Sequence, residues 1–294
     1  MSIVKTSRSE FIPVRGLRYH VRHWGREGAP KLFMVHGWMD VSASFQFVVD
    51  CLQGDWHVIS PDWRGFGMTS GTGTDSYWFP DYLGDLDAIL DHYSPDVPVN
   101  LLGHSMGGNV ACLYAGVRPQ RLQKIINLEG FGLPTTVPEQ APARYAKWLD
   151  ELRTLPELRA YPTQASVVAR LRKNNPRLTN ERAVFLAHHW AEKNTHEEWQ
   201  ILADPAHKLS NPILYRVEEV MACWQAIVAP VLWVEGAETD AWRWMGPKDR
   251  ARSEIDRRLM FISNVTTVTI QAAGHMLHHD QPETLAILIE RFLH

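Results

Sequence analysis

VNLLGHSMGGNVACLYAG, residues 99–116, joins two apolar runs of different period through a serine set among glycines. The first run has no polar alternation and reads as a strand buried on both faces; from residue 106 the spacing becomes helical. A serine at this junction can cap the helix, sit in a turn or present its hydroxyl as a nucleophile. Capping requires no glycine at 103, 107 or 108. A sharp strand-to-helix turn does, because flanking side chains would collide with the adjoining strand and helix while a strained backbone lifts the hydroxyl outward. Gly103-His104-Ser105-Met106-Gly107 therefore reads as a G-x-S-x-G elbow with Ser105 as nucleophile. The helix that follows aims free N–H groups and its positive dipole end at the same place, which favours developing negative charge.

The same strand texture recurs on either side. KLFMVHGW (31–38), WHVISPDWRG (56–65), KIINLEG (124–130), APVLWVEG (229–236) and VTTVTIQAAGH (265–275) are short apolar runs that end in small or polar residues. Helical spacing occupies 41–52, 79–93, 106–117 and 282–293, with Asp81 as the expected cap of the second helix and Pro282 in the first turn of the last. An alternating N-terminal segment around Gly16, FIPVRGLRYHVRHWG, suits an antiparallel hairpin. Strands alternating with helices predict an α/β fold with a mostly parallel twisted sheet flanked by helices. From about 133 to 226 the alternation stops, and the sequence turns to helical stretches such as PARYAKWLDELRTL and ERAVFLAHHWAEKN with no convincing strand. This divides the chain into a first core part (1–132), a helical cap insertion (133–226) and a second core part (227–294). Ligands of open α/β sheets bind at the carboxyl ends of the strands, where such an insertion can form a lid.

Composition narrows the partners. The 294 residues carry 30 Lys and Arg against 33 Asp and Glu, a formal charge of -3, which is no field for nucleic acid or an acidic membrane. Cys51, Cys112 and Cys223 match neither a disulfide framework nor a metal-ligand spacing. The first residues lack the features of a secretory signal and no run is long enough to span a membrane, so the expected setting is cytoplasmic and the expected partner a small-molecule, ester-like substrate. Nothing in the sequence sets the oligomeric state.

A serine hydroxyl needs a base, and His275 follows the last predicted strand at the same sheet edge as Ser105. Its neighbours His278 and His279 are expected at the surface; no metal is expected there, since no carboxylate or cysteine partner is apparent. The acid that orients the imidazole has two sources. Asp240, with Glu238, hangs beyond the strand VLWV, and Glu129 ends the strand KIINL; Asp240 is the preferred acid, with serine, acid and histidine in the chain order that accompanies this elbow. The loop after KLFMV supplies an oxyanion donor, so the backbone amides of Trp38 and Met106 are the expected oxyanion hole. His36 is read as bracing that loop, Asp62 and Arg64 as pinning its neighbours, and Trp148, Trp190 and Trp224 as cap residues able to line a pocket or pack as core.

HGW at 36–38, DWRGFG at 62–67, GHSMGG at 103–108, GAETD at 236–240 and GHMLHHDQPE at 274–283 together resemble the α/β-hydrolase superfamily, in order and across nearly the whole chain. The resemblance implies a sheet of about eight strands, a helical cap after the sixth, a Ser-His-acid triad, and no metal or organic cofactor. Branches with an aspartate at the elbow, the haloalkane dehalogenases and epoxide hydrolases, are excluded by Ser105. NLEG nevertheless resembles the dehalogenase region that carries a glutamate as triad acid, 24 residues after the nucleophile position, while GAETD puts Thr239 where the commoner loop has its aspartate. The expected activity is cleavage of small or medium carboxylic esters through an acyl-enzyme on Ser105. Hydrolysis of a C–C bond, lactone or amide by the same triad, or a non-catalytic ligand-binding role, are the alternatives.

Overall fold

The computed structural model describes residues 4–240 and 242–294. Its centre is an eight-stranded sheet. β1 (Ser7–Val14) and β2 (Leu17–Trp24) form the expected hairpin, turning at Arg15 and Gly16, both with positive φ. That pair of left-handed residues matches the right-handed twist of the flanking strands. β2 runs antiparallel to β4 (His57–Pro61). The remaining strands are parallel: β3 (Lys31–Val35), β5 (Val99–His104), β6 (Leu122–Leu128), β10 (Val231–Gly236) and β11 (Val265–Ile270), in the spatial order β1-β2-β4-β3-β5-β6-β10-β11.

The apolar runs carry no alternation because both faces are covered. Phe33, Val35, Leu101, Ile125 and Trp233 pack with α2 (Phe79–Tyr93), α3 (Met106–Val117), α7 (Val217–Gln225) and α9 (Lys248–Leu259). Their strand neighbours Leu32, Met34, Leu102, Ile126 and Leu232 face α1 (Gln46–Cys51) and α11 (Pro282–Leu293) on the other side. Leu285 and Ile289 of α11 are fully buried, a contribution of roughly 1.5–3 kcal/mol each. Pro282 opens α11 as expected. Asp81 does not cap α2: Trp78 occupies that position without a side-chain bond, and the Asp81 carboxylate lies 3.2 Å from Arg64.

The chain between β6 and β10 contains α4 (Ala141–Arg153), α5 (Gln164–Asn174), α6 (Asn180–Trp190) and α7. Contrary to a strandless insertion, it also holds a small antiparallel sheet of β7 (Ala160–Tyr161), β8 (Ala191–Lys193) and β9 (Trp199–Ile201), ordered β7-β9-β8. These strands are two or three residues long, too short to show a period. Val167, Leu178, Ala183, Leu186 and Ala187 give α5 and α6 a core of their own. α7 is different: Val217, Val220, Met221 and Trp224 join the main core, and Trp224 stacks edge-on against Trp233 of β10. Although α7 falls within residues 133–226, it belongs to the layer that covers the sheet. Among the described residues no helix is long and apolar enough to cross a membrane.

Candidate active site

The pairing register brings several strand ends level at the carboxyl edge. Val35 pairs with Gly103, His104 with Leu128, Leu128 with Val234, and Gly236 with Ile270. Ser105 and Glu129 are therefore each the first residue past a paired strand end. Both bend sharply there, with φ of 51° at Ser105 and 58° at Glu129. The Ser105 amide donates to the Leu128 carbonyl at 2.8 Å, which ties the elbow to the neighbouring strand.

The glycines of the elbow are required by contact distances. A Cβ at Gly103 would come within 2.3 Å of the Gly107 carbonyl oxygen, and one at Gly107 within 2.2 Å of the Val35 carbonyl oxygen. Ser105 makes no capping hydrogen bond to α3. Its Oγ lies 3.0 Å from His275 Nε2 instead. His275 stands in the loop beyond β11, and its Nδ1 lies 3.1 Å from Glu129 Oε2. One line of hydrogen-bonding contacts thus runs from hydroxyl through imidazole to carboxylate.

Glu129 is closely held. Its Oε1 accepts from the Gly236 amide at 2.7 Å, and its Oε2 also accepts from the Thr239 hydroxyl. Burial pushes the carboxyl above the usual carboxylate range, and the hydrogen bonds from His275, Thr239 and Gly236 oppose that shift. Asp240, the acid preferred from sequence, does not meet His275. Its carboxylate pairs with Arg243 at 3.0 Å, at the rim of the cavity described below, while Glu238 pairs with Arg177. Strands β6 and β10 are adjacent, so loops from both reach the histidine, and the turn at Glu129 delivers its carboxyl first.

The surrounding loops are braced by buried polar groups. His36 Nε2 accepts from the Trp63 amide at 2.8 Å, and its Nδ1 donates to the Gly37 carbonyl at 2.7 Å. Asp62 accepts from the Ser42 and Met68 amides and lies 2.7 Å from His20 Nδ1. Arg64 grips Asp85 through two nitrogens at 2.5 and 2.7 Å. A Cβ on Gly37 would lie 3.2 Å from Ser105 Cβ, so the Gly37-Trp38 segment runs directly against the serine.

Ser105, Met106, Trp38, Glu129 and His275 open onto a cavity of about 980 Å³. Trp78, Phe79, Phe131, Leu186 and Trp190 give it largely apolar walls. Trp190 is held by a 2.7 Å hydrogen bond from its indole to the Met39 carbonyl. Trp148 donates to the Asp75 carbonyl and Trp224 is core, so of the three tryptophans singled out by sequence only Trp190 lines the cavity. Trp244 of the short α8 (Trp242–Met245), which sequence reasoning passed over, lies with its ring 4.7 Å from that of His275. His278 and His279 are not at the surface: both are buried, and the Ser44 hydroxyl lies 2.6 Å from His279 Nε2. A short helix, α10 (Leu277–Asp280), turns them inward.

A family model described as "alpha/beta hydrolase fold" matches residues 30–282. A serine hydrolase-like protein of Danio rerio is 25% identical over 99% of this chain and 90% of its own. Monoglyceride lipase of Mus musculus is 35% identical over a shorter stretch, 33% of this chain and 34% of its own. Among solved structures, the thioesterase domain from the curacin biosynthetic pathway superposes with a TM-score of 0.85 at 24% identity, covering 97% of this chain and 99% of that one. E-2-(acetamidomethylene)succinate hydrolase superposes at 0.76 with 18% identity, over 98% and 99%. With the eight-stranded, mostly parallel sheet and the match across residues 30–282, the chain belongs to the α/β-hydrolase family and is a hydrolase.

Proposed function

We propose that this hydrolase cleaves carboxylic esters with small or medium apolar acyl groups, through an acyl-enzyme on Ser105. The observation that carries the reading is the line Ser105 Oγ, His275 Nε2, His275 Nδ1, Glu129 Oε2, with separations of 3.0 and 3.1 Å. Glu129 holds the proton of His275 on Nδ1, which leaves Nε2 free to take the Ser105 proton. The hydroxyl oxygen then attacks the ester carbonyl. As the carbonyl double bond opens, negative charge gathers on the substrate's former carbonyl oxygen, between the amides of Trp38 and Met106, both at the cavity wall. Met106 is the first residue of α3, so its N–H has no acceptor within the helix. His275 returns the proton to the departing alcohol; a water then gives a proton to His275 as its oxygen bonds the acyl carbon, and the bond to Ser105 Oγ breaks as His275 hands that proton back to the serine, releasing the acid.

Cavity size and lining support the substrate class. About 980 Å³ walled by aromatic and aliphatic side chains suits an apolar acyl chain or ring, with polar groups confined to the reacting end. The insertion spanning residues 133–226 supplies Leu133, Leu171, Leu186 and Trp190 to those walls and so acts as the cap that selects among acyl groups. Ser105→Ala is expected to abolish turnover of p-nitrophenyl esters and labelling by a fluorophosphonate, with little change in thermal melt. Turnover retained by that variant would remove Ser105 as nucleophile. A folded wild type that neither labels nor turns over esters, thioesters, lactones or amides would favour a binding role.

A further inference from the structure

Behind the Ser105–His275 pair lies a second polar cluster that ester cleavage does not use. Asp40 comes from the loop after β3, His104 ends β5 and His278 belongs to α10, and all three are buried. One ligand-type atom from each lies within 4.8 Å of the other two. His278 Nε2 is 3.9 Å from Asp40 Oδ2, and the His104 and His278 ring centres are 4.3 Å apart. Buried polar atoms are almost always hydrogen-bonded. Among the described residues Asp40 Oδ2 and His104 Nδ1 are not; His278 turns toward Asp40 with Nε2, which the Ser44 hydroxyl also approaches at 3.3 Å, and its Nδ1 has no partner.

The state of His104 follows from its other nitrogen. Nε2 faces the His275 carbonyl at 2.9 Å, and a carbonyl only accepts, so Nε2 carries the proton and Nδ1 presents a lone pair. Two imidazoles and a carboxylate converging in the interior form a donor set suited to a divalent transition metal. At metal–ligand lengths near 2.1 Å, tetrahedral donors stand about 3.4 Å apart, so each pair here has at most about 1.4 Å to close. Asp40 and His104 both line the substrate cavity, which gives an ion its path inward.

We propose that Asp40, His104 and His278 form a binding site for a divalent transition-metal ion such as zinc, and that filling it inhibits the hydrolase. The inhibitory half rests on the serine-hydrolase reading above; the binding half does not. His104 directly precedes Ser105, and its ring centre lies 5.0 Å from that of His275. Positive charge there opposes the imidazolium that His275 must become when it takes the serine proton. The competing occupant is a water that donates to Asp40 Oδ2 and His104 Nδ1.

The test titrates full-length protein, stripped of metal, with zinc and with cobalt, following heat of binding and the visible absorption of the cobalt complex. Ester turnover is measured in parallel as a ratio with and without metal for each variant. Wild type and Ser105→Ala are expected to bind one ion per chain. Asp40→Asn and His278→Gln should bind at least tenfold more weakly, and His196→Gln, at an exposed histidine, should bind as wild type does. Turnover by wild type should fall at least tenfold on saturation, and the ratio should approach one in Asp40→Asn. Asp40→Asn keeps the shape of the side chain and carries the test if His278→Gln does not fold. Absence of saturable binding in wild type would leave the space to water and overturn the site. Binding that survives both substitutions but is lost in His275→Asn would put the ion on the triad histidine, with the same consequence. Binding without inhibition would overturn the inhibitory half alone, whereas a protein inactive on every ester still has its metal site decided by calorimetry.

Discussion

Replacing Glu129 by glutamine separates the two acids that the sequence offers. The Gly236 amide can only donate, so the new side chain must place its carbonyl oxygen there, where Glu129 Oε1 accepts at 2.7 Å. Its NH2 group then faces His275 Nδ1, 3.1 Å away in the native pair. An amide that donates to Nδ1 drives the histidine proton to Nε2, so the imidazole points a hydrogen at Ser105 instead of a lone pair. Loss of the carboxylate opposite a developing imidazolium costs about 4 kcal/mol at an effective dielectric near 20, or about 10³ in rate. The wrong tautomer brings the expected fall in kcat to about 10⁴-fold. Asp240→Asn removes only a partly exposed pair with Arg243, and such pairs are worth about 0–1 kcal/mol, so its kcat/KM should stay within about fivefold. Steady-state turnover of a p-nitrophenyl ester by variants of matched circular dichroism decides it. Glu129→Gln within tenfold of wild type, or Asp240→Asn reduced more than a hundredfold, would refute the assignment of the acid.

Thr239→Val deletes the hydroxyl that donates to Glu129 Oε2; kcat should fall about tenfold with KM unchanged, since a hydrogen bond to a charged group is worth about 1.5–3 kcal/mol, and Thr239→Ser should restore most of it. Gly107→Ala puts a methyl within 2.2 Å of the Val35 carbonyl oxygen, and differential scanning calorimetry should show a melt lower by about 6–12 °C for a cost near 3 kcal/mol. His207, stacked at 3.7 Å between Phe66 and Tyr77, has its pKa pushed down to about 4 by burial. The unfolded chain therefore binds the extra proton first as pH falls. The stability His207 contributes is fully present above the ordinary histidine pKa of about 6.5 and is lost as pH drops through about 4, by at most about 3 kcal/mol. His207→Phe should consequently lose less melting temperature than wild type between about pH 7.5 and pH 4.5.

The strands of the eight-stranded sheet, with its hairpin, and helices α2, α3 and α11 were legible because their periods are unbroken and their ends are marked by glycine or proline. That Ser105 and His275 would meet was legible because each lies beyond such a strand, and the registers of β5, β6, β10 and β11 bring the strand ends level. The contact between Glu129 and His275 was not, since it turns on which of two adjacent loops bends inward, and the left-handed turn at Glu129 has no sequence marker. His278 and His279 were misplaced for a related reason: HMLHH looks polar, yet α10 rotates both rings onto Ser44 and His104. The strands of the insertion escaped notice because β8 continues directly from the helical pattern of α6.

Because Glu129 directly follows β6, the proposed acid lies on the same stretch of chain that leads into the insertion. The Gly132 amide is fastened to Asn109 Oδ1 at 2.8 Å, and the Phe131 carbonyl to Arg258 at 2.9 Å, so the chain is anchored for three residues past the acid before it departs. An engineer exchanging the insertion for one of different selectivity should therefore splice downstream of residue 132, where the donor graft inherits a fixed take-off point. If Glu129 is the acid as proposed, the loop beyond β10 is the segment in which randomised libraries can be placed with least risk to the line from Ser105 to Glu129, provided Gly236 and Thr239 are kept.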